Sequence, residues 1–448
     1  MTALPGYKDY GEGVKWAPCL PSHWSAAALK WLARIYAGGT PDRSNPDYWQ
    51  GGTVPWLNSG SVNDGVITQP SELITEEALA NSSARWVPSG SVVIALAGQG
   101  KTKGTPARLE IPSTTNQSMA AIVPGQGIDH RFIYYWLASN YQSIRNLAGG
   151  DLRDGLNLQH IGSIEMPLPP PDEQRAIADY LDRETAKIGT LISEQEGLVQ
   201  VLQERRIAVI SRAVTTGLDR AARLVDSGAD WLGAVPEHWD VKRLKFSVAS
   251  TQVGVWGAEP VGDDDDVLCV RVADFDRPRL RVSDEIPTVR SVKASDRLPR
   301  LLHPNDLLLE KSGGTAINPV GFVGVFEGTA RPAVSSNFLT RLRVARGQHP
   351  RYWLYAHAAS YSTRLTARSV NQTTGIQNLD QAAYFDELFP FPPFEEQRAI
   401  ADYLDDQTKK IDALIAEAEG IVAVAKERRS ALITAAVTGQ IDVRGEVA

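Results

Sequence analysis

The sequence predicts an α+β protein, with two globular mixed α/β domains at opposite ends of a long antiparallel two-helix coiled coil. Two observations carry this prediction. The decapeptide EQRAIADYLD occurs at Glu173–Asp182 and again at Glu396–Asp405, inside a longer match at a constant offset of 223 residues. Each copy opens a proline-free stretch of forty-odd residues with apolar residues every seven positions, which is typical of a coiled-coil helix. The chain is therefore a tandem repeat with a pseudo-two-fold axis.

The repeat extends over both halves of the 448-residue chain. A second echo lies upstream, where WAPCLPSHW at Trp16–Trp24 returns as WLGAVPEHW at Trp231–Trp239. The sequence between these matches diverges, which indicates two globular domains on a repeated helical framework. We expect the first domain at 1–166, the first long helix and a linker at 167–222, the second domain at 223–389, and the second long helix with a C-terminal tail at 390–448.

The two long helices are predicted from their start signals and their apolar spacing. Prolines precede each start, and the acidic residues that follow suit the positive end of a helix dipole. The predicted seam consists of Leu181, Ile188, Leu202, Leu404, Ile411 and Leu432. Leu191, Leu198, Leu414 and Ile421 lie at positions intermediate between these. A helix of this length spans roughly 60 Å. If the second helix runs back along the first, the two domains are held apart by that length.

Composition favours a soluble globular protein, with 43% hydrophobic and 22% charged residues. The formal net charge of −7 argues mildly against a nucleic-acid-binding protein, which usually carries a basic face. There is no run of eighteen apolar residues and no basic-then-apolar start, so we expect a cytoplasmic protein. Cys19 and Cys269 lack metal-ligand spacing and are predicted to be reduced thiols.

Enzyme interpretations rest on short motifs. ALAGQGKT at Ala95–Thr102 fits a permissive phosphate-loop pattern, but the Lys-Gly-Thr-Pro that follows is a poor helix start. We interpret it as a loop that contacts DNA, with the nucleotide-binding enzyme kept as an alternative. NPDY at Asn45–Tyr48 lacks the second proline of an adenine methyltransferase motif and is interpreted as a turn. The acidic run Asp263–Asp266 is predicted to be a solvated loop, so we expect no metal site and no catalytic residues.

Repeated local motifs also predict structural roles. His23 and His238 occupy the same place in the two P-x-H-W motifs, and repetition favours a structural hydrogen bond over catalysis. RFIYYWL and RYWLYAH begin at Arg131 and Arg351. Their aromatic residues are predicted to fill the core side of a helix that closes each domain onto its sheet.

The chain resembles the specificity subunits of Type I restriction-modification systems. The resemblance rests on the paired helix starts PPPDEQRAIADYLD and PPFEEQRAIADYLD, on the paired P-x-H-W entries, and on ERR followed by AVTTG or AVTG. Gly38–Val62 resembles the opening of a target recognition domain of that family, and VVIALAGQGKTKG and LLLEKSGGTAINPVG resemble its strand and Gly-rich loop. The second domain departs from the pattern, because QVGVWGAEP stands where GGTP is expected.

This resemblance implies a non-catalytic subunit of a DNA methyltransferase and restriction complex. Such a subunit binds a bipartite, asymmetric site on double-stranded DNA and holds two methyltransferase subunits, with two restriction and translocase subunits joining them. The chain itself is expected to need no cofactor, since S-adenosylmethionine, ATP and Mg²⁺ belong to the partner subunits. Those partners can also supply part of the phosphate neutralisation, which weakens the objection from net charge. An autonomous sequence-specific DNA-binding protein is the main alternative.

Candidate DNA-binding residues are polar side chains on loops, which suit base edges and phosphates. In the first domain they are Asn58, Ser59, Ser61, Gln99, Lys101, Lys103, Asn116 and Gln117. In the second they are Arg271, Asp274, Lys311, Ser312, Thr315, Asn337, Arg368, Asn371 and Gln372. Two copies of one partner need two equal docking sites, so the helix starts are expected to bind the methyltransferase subunits. The predicted partner-binding residues are Glu173, Gln174, Arg175, Tyr180, Glu396, Gln397, Arg398 and Tyr403.

Overall fold

The computed structural model describes residues 4–98, 100–148, 155–315, 317–373 and 376–446. The chain divides into two compact units, Met1–Glu194 with Ile421–Ala448, and Gln195–Gly420. Each unit contains one domain of mixed helices and strands, together with a segment of both long helices. Within the described ranges, none of the helices has the length and apolar character needed to cross a membrane. Both cysteines are free thiols, and burial raises the pKa of the Cys269 thiol to about 11.

The first domain consists of short strands arranged mainly in two sheets. Its strands are β1 (Tyr10–Val14), β2 (Ala17–Pro21), β3 (Ser25–Ala28), β4 (Ala33–Ala37), β5 (Val54–Leu57), β6 (Val66–Ile67), β7 (Glu72–Ile74), β8 (Trp86–Val87), β9 (Ser91–Ala95), β10 (Pro106–Leu109), β11 (Ser113–Thr115), β12 (Met119–Pro124) and β13 (Glu165–Leu168). Its helices are α1 (Leu29–Leu32), α2 (Glu76–Ala80), α3 (His130–Ser139), α4 (Tyr141–Arg145) and α5 (Leu158–Gly162), and α6 (Pro171–Thr216) is the first long helix.

The second domain follows the same plan. Its strands are β14 (Leu224–Asp226), β15 (Ala234–Pro236), β16 (Asp240–Arg243), β17 (Val248–Val253), β18 (Asp266–Val270), β19 (Phe275–Asp276), β20 (Arg281–Val282), β21 (Val289–Ser291), β22 (Leu307–Glu310), β23 (Ser312–Gly313), β24 (Val323–Val325), β25 (Ala333–Ser335), β26 (Leu339–Val344), β27 (Val370–Thr373), β28 (Ile376–Leu379) and β29 (Leu388–Phe391). Its helices are α7 (Ala294–Arg297), α8 (Pro350–Ser362) and α9 (Gln381–Asp386), and α10 (Phe394–Val437) is the second long helix.

The two domains share one sheet topology although their sequences differ. The larger sheet has the order β4-β12-β9-β10-β6 in the first domain and β17-β26-β22-β24-β20-β19 in the second. Among the described residues, the two larger sheets differ by one edge strand, β19, which the second domain adds. Strand β6 runs parallel to β10, as β20 runs parallel to β24. The smaller sheets contain the parallel pairs β5 with β11 and β18 with β25. The repeat predicted from the helices therefore extends to the divergent domains.

Both long helices are confirmed, at 46 residues for α6 and 44 for α10. In the first unit the start of α6 shares a core with the end of α10, through Ile177 and Leu181 against Ala436 and Val437. In the second unit the end of α6 shares a core with the start of α10. There the Arg206 Nε–H donates to the Asp412 carboxylate over 2.9 Å. The two helices are therefore antiparallel, as the predicted fold class states.

The apolar stripe of these helices is narrower than the sequence predicts. The seam residues Leu181, Ile188, Leu202, Leu404 and Ile411 are buried and Leu432 is half-buried. The intermediate residues Leu191, Leu198, Leu414 and Ile421 are exposed, so they lie outside the buried seam. Ile192, four residues after Ile188, completes the seam and packs with Ala425. On an α-helix, the residue four positions along lies closer to the face of the starting residue than the residue three positions along does.

Helices α3 and α8 close the two domains, as predicted. Trp136 on α3 and Trp353 on α8 are buried, and each contributes to the main core of its unit. Arg131 and Arg351 in the first turn of these helices bind carboxylates on the long helix of the same unit. The aromatic residues therefore have structural roles, and the arginines connect each domain to the helix that follows it.

Candidate nucleic-acid interface

Three loops of the first domain meet where strands β5, β9 and β11 end. The Asn116 N–H donates to the Leu57 carbonyl over 2.9 Å, which places the loop after β11 beside the loop after β5. The Leu96 N–H donates to the Ser118 carbonyl over 2.8 Å, which adds the loop after β9. Asn58, Asn116 and Lys101 each stand on one of these loops. The structure therefore brings residues from all three predicted DNA-binding segments to one edge of the domain.

The second domain contains the same arrangement after β18, β22 and β25. The Ser336 N–H donates to the Val270 carbonyl, and the Lys311 N–H donates to the Phe338 carbonyl, over 2.8 and 3.0 Å. These bonds make Arg271 the counterpart of Asn58, and Asn337 the counterpart of Gln117. A shared constraint supports the alignment, because a Cβ on Gly38 or on Gly254 would lie about 2 Å from the carbonyl oxygen of Thr115 or Ser335, the last residue of β11 or β25.

Local hydrogen bonds fix the shape of these loops. In the first domain the Asn58 side chain accepts from the Gly60 N–H, and the Asn116 side chain accepts from the Ser118 N–H. The Lys101 carbonyl accepts from the hydroxyls of Thr105 and Tyr141, while the Lys101 side chain stays exposed. In both cases the backbone is held by neighbours, and polar side chains remain at the surface. Ser59 and Ser61 are half-buried, the latter bonded to Ser71, and Gln117 is exposed beside Thr40.

Some candidates of the second domain belong to or adjoin a small sheet, and the others lie in exposed segments outside it. Ser312 on β23 donates to Asn378 on β28, which lies opposite Asn371 on β27, so a small sheet joins these residues. Lys311 adjoins this sheet, Asn337 is exposed nearby in the chain after β25, and Thr315 is exposed in its own turn. Arg368 is exposed but extends towards Asp230, 3.5 Å away.

Several candidates are corrected by their surroundings. Lys103 is buried and already has a partner within the protein, so it does not offer a surface cation. Asp274 is also buried, and its carboxylate accepts from the Arg271 backbone N–H over 2.7 Å and from the Arg271 guanidinium. That bond and the attraction between the charges raise the pKa of Arg271. Asp274 therefore orients Arg271, while Gln99 and the side chain of Gln372 lie outside the described residues.

A small cavity of about 240 Å³ opens among the loops of the second domain. Trp256, Val272, Ala273 and Phe338 supply most of its apolar wall, and Arg271 and Ser312 stand at it. The counterpart of Trp256 in the first domain is Thr40, which follows Gly39 as Trp256 follows Val255. The equivalent edge of the first domain is thus polar, whereas that of the second is aromatic. Sequence reasoning missed Trp256 and Phe338 because it selected only polar residues.

The loop after β9 does not have the structure of a phosphate loop. Such a loop must open a helix whose N-terminal amides face the phosphates. Here β10 begins at Pro106, and the described residues between Ala95 and Pro106 contain turns and no helix. The nucleotide-binding alternative is therefore rejected for this segment. The NPDY segment is a short helical turn capped by Asn45, as its interpretation as a turn predicts.

The duplicated helix starts bind their own domains. His23 Nε2 lies 2.9 Å from a Glu173 carboxylate oxygen, and the Trp24 indole N–H donates to the other oxygen over 2.6 Å. In the second unit, His238 Nε2 lies 2.7 Å from Glu396, to which the Trp239 indole N–H donates over 2.9 Å. The repeated P-x-H-W motif and the repeated glutamate therefore form one interaction in two copies. The predicted structural role of both histidines is confirmed.

The repeated glutamine makes a second such contact. The Gln174 side-chain oxygen accepts from the Asp129 N–H before α3, and its amide donates to the Pro169 carbonyl. Gln397 accepts from the His349 N–H before α8 and donates to the Pro392 carbonyl. All four distances are 2.9 or 3.0 Å. Each glutamine thus ties the start of the closing helix to the start of the long helix.

The repeated aspartate makes the third contact. Asp182 accepts from the Tyr135 hydroxyl over 2.6 Å and from Arg131 over 3.1 Å, and Asp405 accepts from the Tyr355 hydroxyl and from Arg351 over 2.6 Å each. Burial, together with the hydrogen bond to Asp405, raises the pKa of Tyr355 to about 12. We call the Glu, Gln and Asp contacts of each unit its domain latch.

These contacts correct part of the predicted partner-binding set. Glu173, Gln174, Tyr180 and Gln397 are buried, so their side chains serve the interior of their own unit. Glu396 is half-buried in its latch. Arg175, Arg398 and Tyr403 remain exposed and available. Each copy of the decapeptide thus forms the same latch to its own domain.

Three exposed apolar positions are also repeated on the long helices. On α6 they are Leu191, Leu198 and Val201, and 223 residues later on α10 they are Leu414, Ile421 and Val424. Positions i, i+7 and i+10 of a helix lie on one face. Because these exposed apolar groups recur at the same places on both helices, they are candidates for contacts with a duplicated partner. We call them the apolar triads.

Comparison with known proteins gives consistent matches. Residues 21–196 match the family described as Type I restriction modification DNA specificity domain. The chain is 30% identical over 180 residues to the EcoR124I/EcoR124II specificity subunit of Escherichia coli, covering 39% of this chain and 43% of that protein. It is 28% identical to the MjaIX specificity subunit of Methanocaldococcus jannaschii over 38% of that protein. The chain thus spans less than half the length of these two relatives in alignment.

Longer matches have lower identity. The EcoKI specificity subunit of Escherichia coli strain K12 is 20% identical over 435 residues, 94% of this chain and 90% of that one. A chain from the structure titled "Structural basis underlying complex assembly and conformational transition of the type I R-M system" superposes with a TM-score of 0.68 at 17% identity. That superposition covers 94% of this chain and 99% of the other, which shows a shared fold.

Proposed function

We propose that this chain is the DNA-reading subunit of a Type I restriction-modification complex, because residues 21–196 match the family described as Type I restriction modification DNA specificity domain. The observation that carries the proposal is the repeated loop framework with different side chains. At equivalent positions the first domain has Asn58, Gln117 and Thr40, and the second has Arg271, Asn337 and Trp256. Two domains that share a loop framework but expose different side chains suit a bipartite, asymmetric DNA site.

Each domain would read one half-site with the residues its loops expose. Amide side chains pair with adenine edges and arginine pairs with guanine, while lysine suits phosphates. We expect the first domain, residues 1–166, to read through Asn58, Ser59, Ser61, Lys101, Asn116 and Gln117. The second, residues 223–389, would read through Arg271, Lys311, Ser312, Thr315, Asn337, Arg368 and Asn371. The apolar cavity beside Arg271 adds a surface suited to the methyl group of thymine.

Catalysis would belong to other subunits of the complex. Two methyltransferase subunits would supply S-adenosylmethionine chemistry, and restriction and translocase subunits would supply ATP- and Mg²⁺-dependent steps. The apolar triads support two equal docking sites for the methyltransferase, since the same three exposed positions recur on α6 and α10. Exposed Arg175, Arg398 and Tyr403 extend the two sites. The assembly would act in the cytoplasm, where its DNA is.

The direct test is to map methylated adenines genome-wide in cells with and without this gene. We expect one bipartite motif, with two unlike halves and a fixed spacer, to lose methylation when the gene is deleted. An unchanged methylation map, with the methyltransferase gene expressed, would reject the proposal. A purified chain that binds a specific duplex by itself, and never associates with a methyltransferase, would favour the autonomous DNA-binding protein.

The docking part of the proposal has its own test. Leu414→Asp and Val424→Asp place charges at exposed positions of one apolar triad, so the chain should keep its fold and lose methyltransferase binding at that site. Glu419→Lys is the control, because Glu419 is exposed on α10 about 140° around the helix from both Leu414 and Val424, and this variant should bind normally. Co-purification with the methyltransferase subunit, together with circular dichroism, distinguishes lost docking from lost folding.

A further inference from the structure

One exposed aromatic residue occupies the same place in both divergent domains. Trp31 in α1 is 77% exposed, and Phe246 in the short helical turn Leu244–Ser247 is 60% exposed. A single exposed aromatic residue is common and needs no explanation. Two exposed aromatic residues at equivalent positions of two divergent domains do call for an explanation.

Sequence and hydrogen bonding agree that the positions are equivalent. LKWL and LKFS are separated by 215 residues, the same offset as the two P-x-H-W motifs. Leu29 and Leu244 are fully buried, and their N–H groups donate to the chain before β13 and β29, over 2.9 and 2.8 Å. Three residues later, the Leu32 and Ser247 carbonyls each accept from the chain after β12 or β26 over 2.8 Å. The leucine fills the core, and the aromatic ring two positions along faces solvent.

The surroundings of the two rings also match. Lys30 Nζ lies 5.2 Å from the centroid of the Trp31 ring, and Lys245 Nζ lies 5.9 Å from that of Phe246. Lys245 also binds Asp386 over 2.8 Å, which holds it beside the ring. Each site is therefore an exposed aromatic group beside a lysine, with apolar and cationic contacts to offer.

We propose that Trp31 and Phe246 are equivalent anchors for the methyltransferase subunit, one copy of that subunit at each. The inference rests on the proposed function. Residues that read bases must differ between the domains, so a feature kept in both serves a ligand that both share. The shared ligands are the DNA backbone and the duplicated partner. The lysine beside each ring would suit either ligand, but the exposed ring itself has no counterpart on a phosphate backbone, whereas aromatic residues are enriched at protein interfaces and at their hot spots.

The test measures the composition of the complex without DNA. The methyltransferase subunit is co-expressed with the full chain, and native mass spectrometry counts the subunits bound. The unchanged chain should bind two. Trp31→Ala and Phe246→Ala should each lower the affinity of one site at least tenfold, giving mainly one bound subunit, and the double variant should bind neither firmly. Trp31→Phe should bind two.

Trp86 supplies the matched control, because it is 46% exposed in the first domain and lies on β8, away from the repeated position. Trp86→Ala should bind two subunits. Two bound subunits of normal affinity in both single variants would overturn the inference. If assembly is normal and only DNA affinity falls, the rings serve the duplex and the inference is also wrong. Failure of the unchanged chain to bind any methyltransferase would instead contradict the proposed function. Equal melting temperatures confirm that the variants fold.

Discussion

At the residue scale, the domain latches turn three side chains of the decapeptide inward. Asp405 accepts from Tyr355 and Arg351, which stand one turn apart on α8. Burial lowers the pKa of Arg351, and its bond to Asp405 more than offsets this, so that the pKa is raised. The charge on Asp405 therefore holds α8 against α10. This contact is local to its unit, and so are its consequences.

We predict that Asp405→Asn weakens the attachment of α8. The amide keeps the shape but loses the charge, and hydrogen bonds to a charged group contribute about 1.5–3 kcal/mol. Because Asp405 is partly exposed, we expect a loss of about 1–2 kcal/mol in local stability, measured by amide hydrogen exchange in α8. Asp406→Asn is the control, since Asp406 is exposed and its carboxylate accepts hydrogen bonds from Lys410 and Gln407 of its own helix. Equal effects of the two substitutions would show that the latch is not formed.

His357 gives a prediction about pH. It is buried on α8 with its Nδ1 2.8 Å from the Tyr384 hydroxyl, and burial lowers its pKa to about 3. Since the unfolded chain binds a proton at pH values near 6.5 and the folded chain does not, the contribution of neutral His357 to stability is complete above pH 6.5 and declines as the pH falls towards 3. The slope is about 1.4 kcal/mol per pH unit for one proton.

His357→Gln should remove that part of the pH dependence. Urea unfolding of the full chain at pH 7, 6 and 5, monitored by hydrogen exchange of the amides in α8, measures this pH dependence. The variant is expected to have a smaller decline in stability than the unchanged chain over this range. His303→Gln, on an exposed histidine, should leave the decline as it was. A decline equal in all three proteins would assign the pH dependence to other groups.

At the scale of elements, each long helix carries two apolar stripes with different roles. The buried stripe joins the two helices, and the exposed apolar triads lie beside it. Heptad spacing alone does not separate them, because Leu191 and Ile192, or Leu414 and Ile415, satisfy it almost equally. Which residue turns inward depends on the rotation of the helix, and packing against the domain in each unit sets that rotation.

Ile411 and Leu414 test this division. Ile411 is 5% exposed and Leu414 is 49% exposed, three residues apart on α10. Ile411→Asp buries a charge and removes apolar packing, so we expect it to lower the free energy of unfolding by roughly 3–5 kcal/mol. Leu414→Asp should change it little. Thermal unfolding followed by circular dichroism compares the two, and similar melting temperatures would place the seam elsewhere.

At the scale of the whole molecule, the features that are repeated in both units and the features that differ between them belong to different parts of each unit. The latches, the long helices and the sheet topology are common to both units, whereas the side chains on the loops after β5, β9 and β11 and their counterparts differ. The net charge of −7 is a property of the whole chain and does not describe these loops. Arg271, Lys311 and Lys101 supply local positive charge at the candidate interface.

Replacing the second domain as a unit should change one half of the recognised site. We predict that a chain whose residues 223–389 come from a relative methylates a motif with one new half and one unchanged half. The retained latch residues Glu396, Gln397 and Asp405 should accept the new domain if it carries the P-x-H-W motif. Mapping of methylated adenines reads the result. A motif altered in both halves would contradict independent reading by the two domains.

The sequence alone determined the tandem repeat, the length and start of both long helices, and the closing helices α3 and α8. These follow from signals that can be seen in the sequence itself, namely repetition, absence of proline and apolar spacing. It also selected the three loop segments that meet in each domain, because Gly-rich polar stretches after apolar strands are visible in one dimension.

The tertiary structure decided how individual side chains are used. It buried Lys103 and Asp274, turned Gln174 and Gln397 inward, and left Trp31 and Phe246 in solvent. It also placed Trp256 and Phe338 around one cavity, although 82 residues separate them in sequence. Such outcomes depend on which distant segment covers a position. Local sequence does not encode that, because burial is a property of the packed chain and not of the residue.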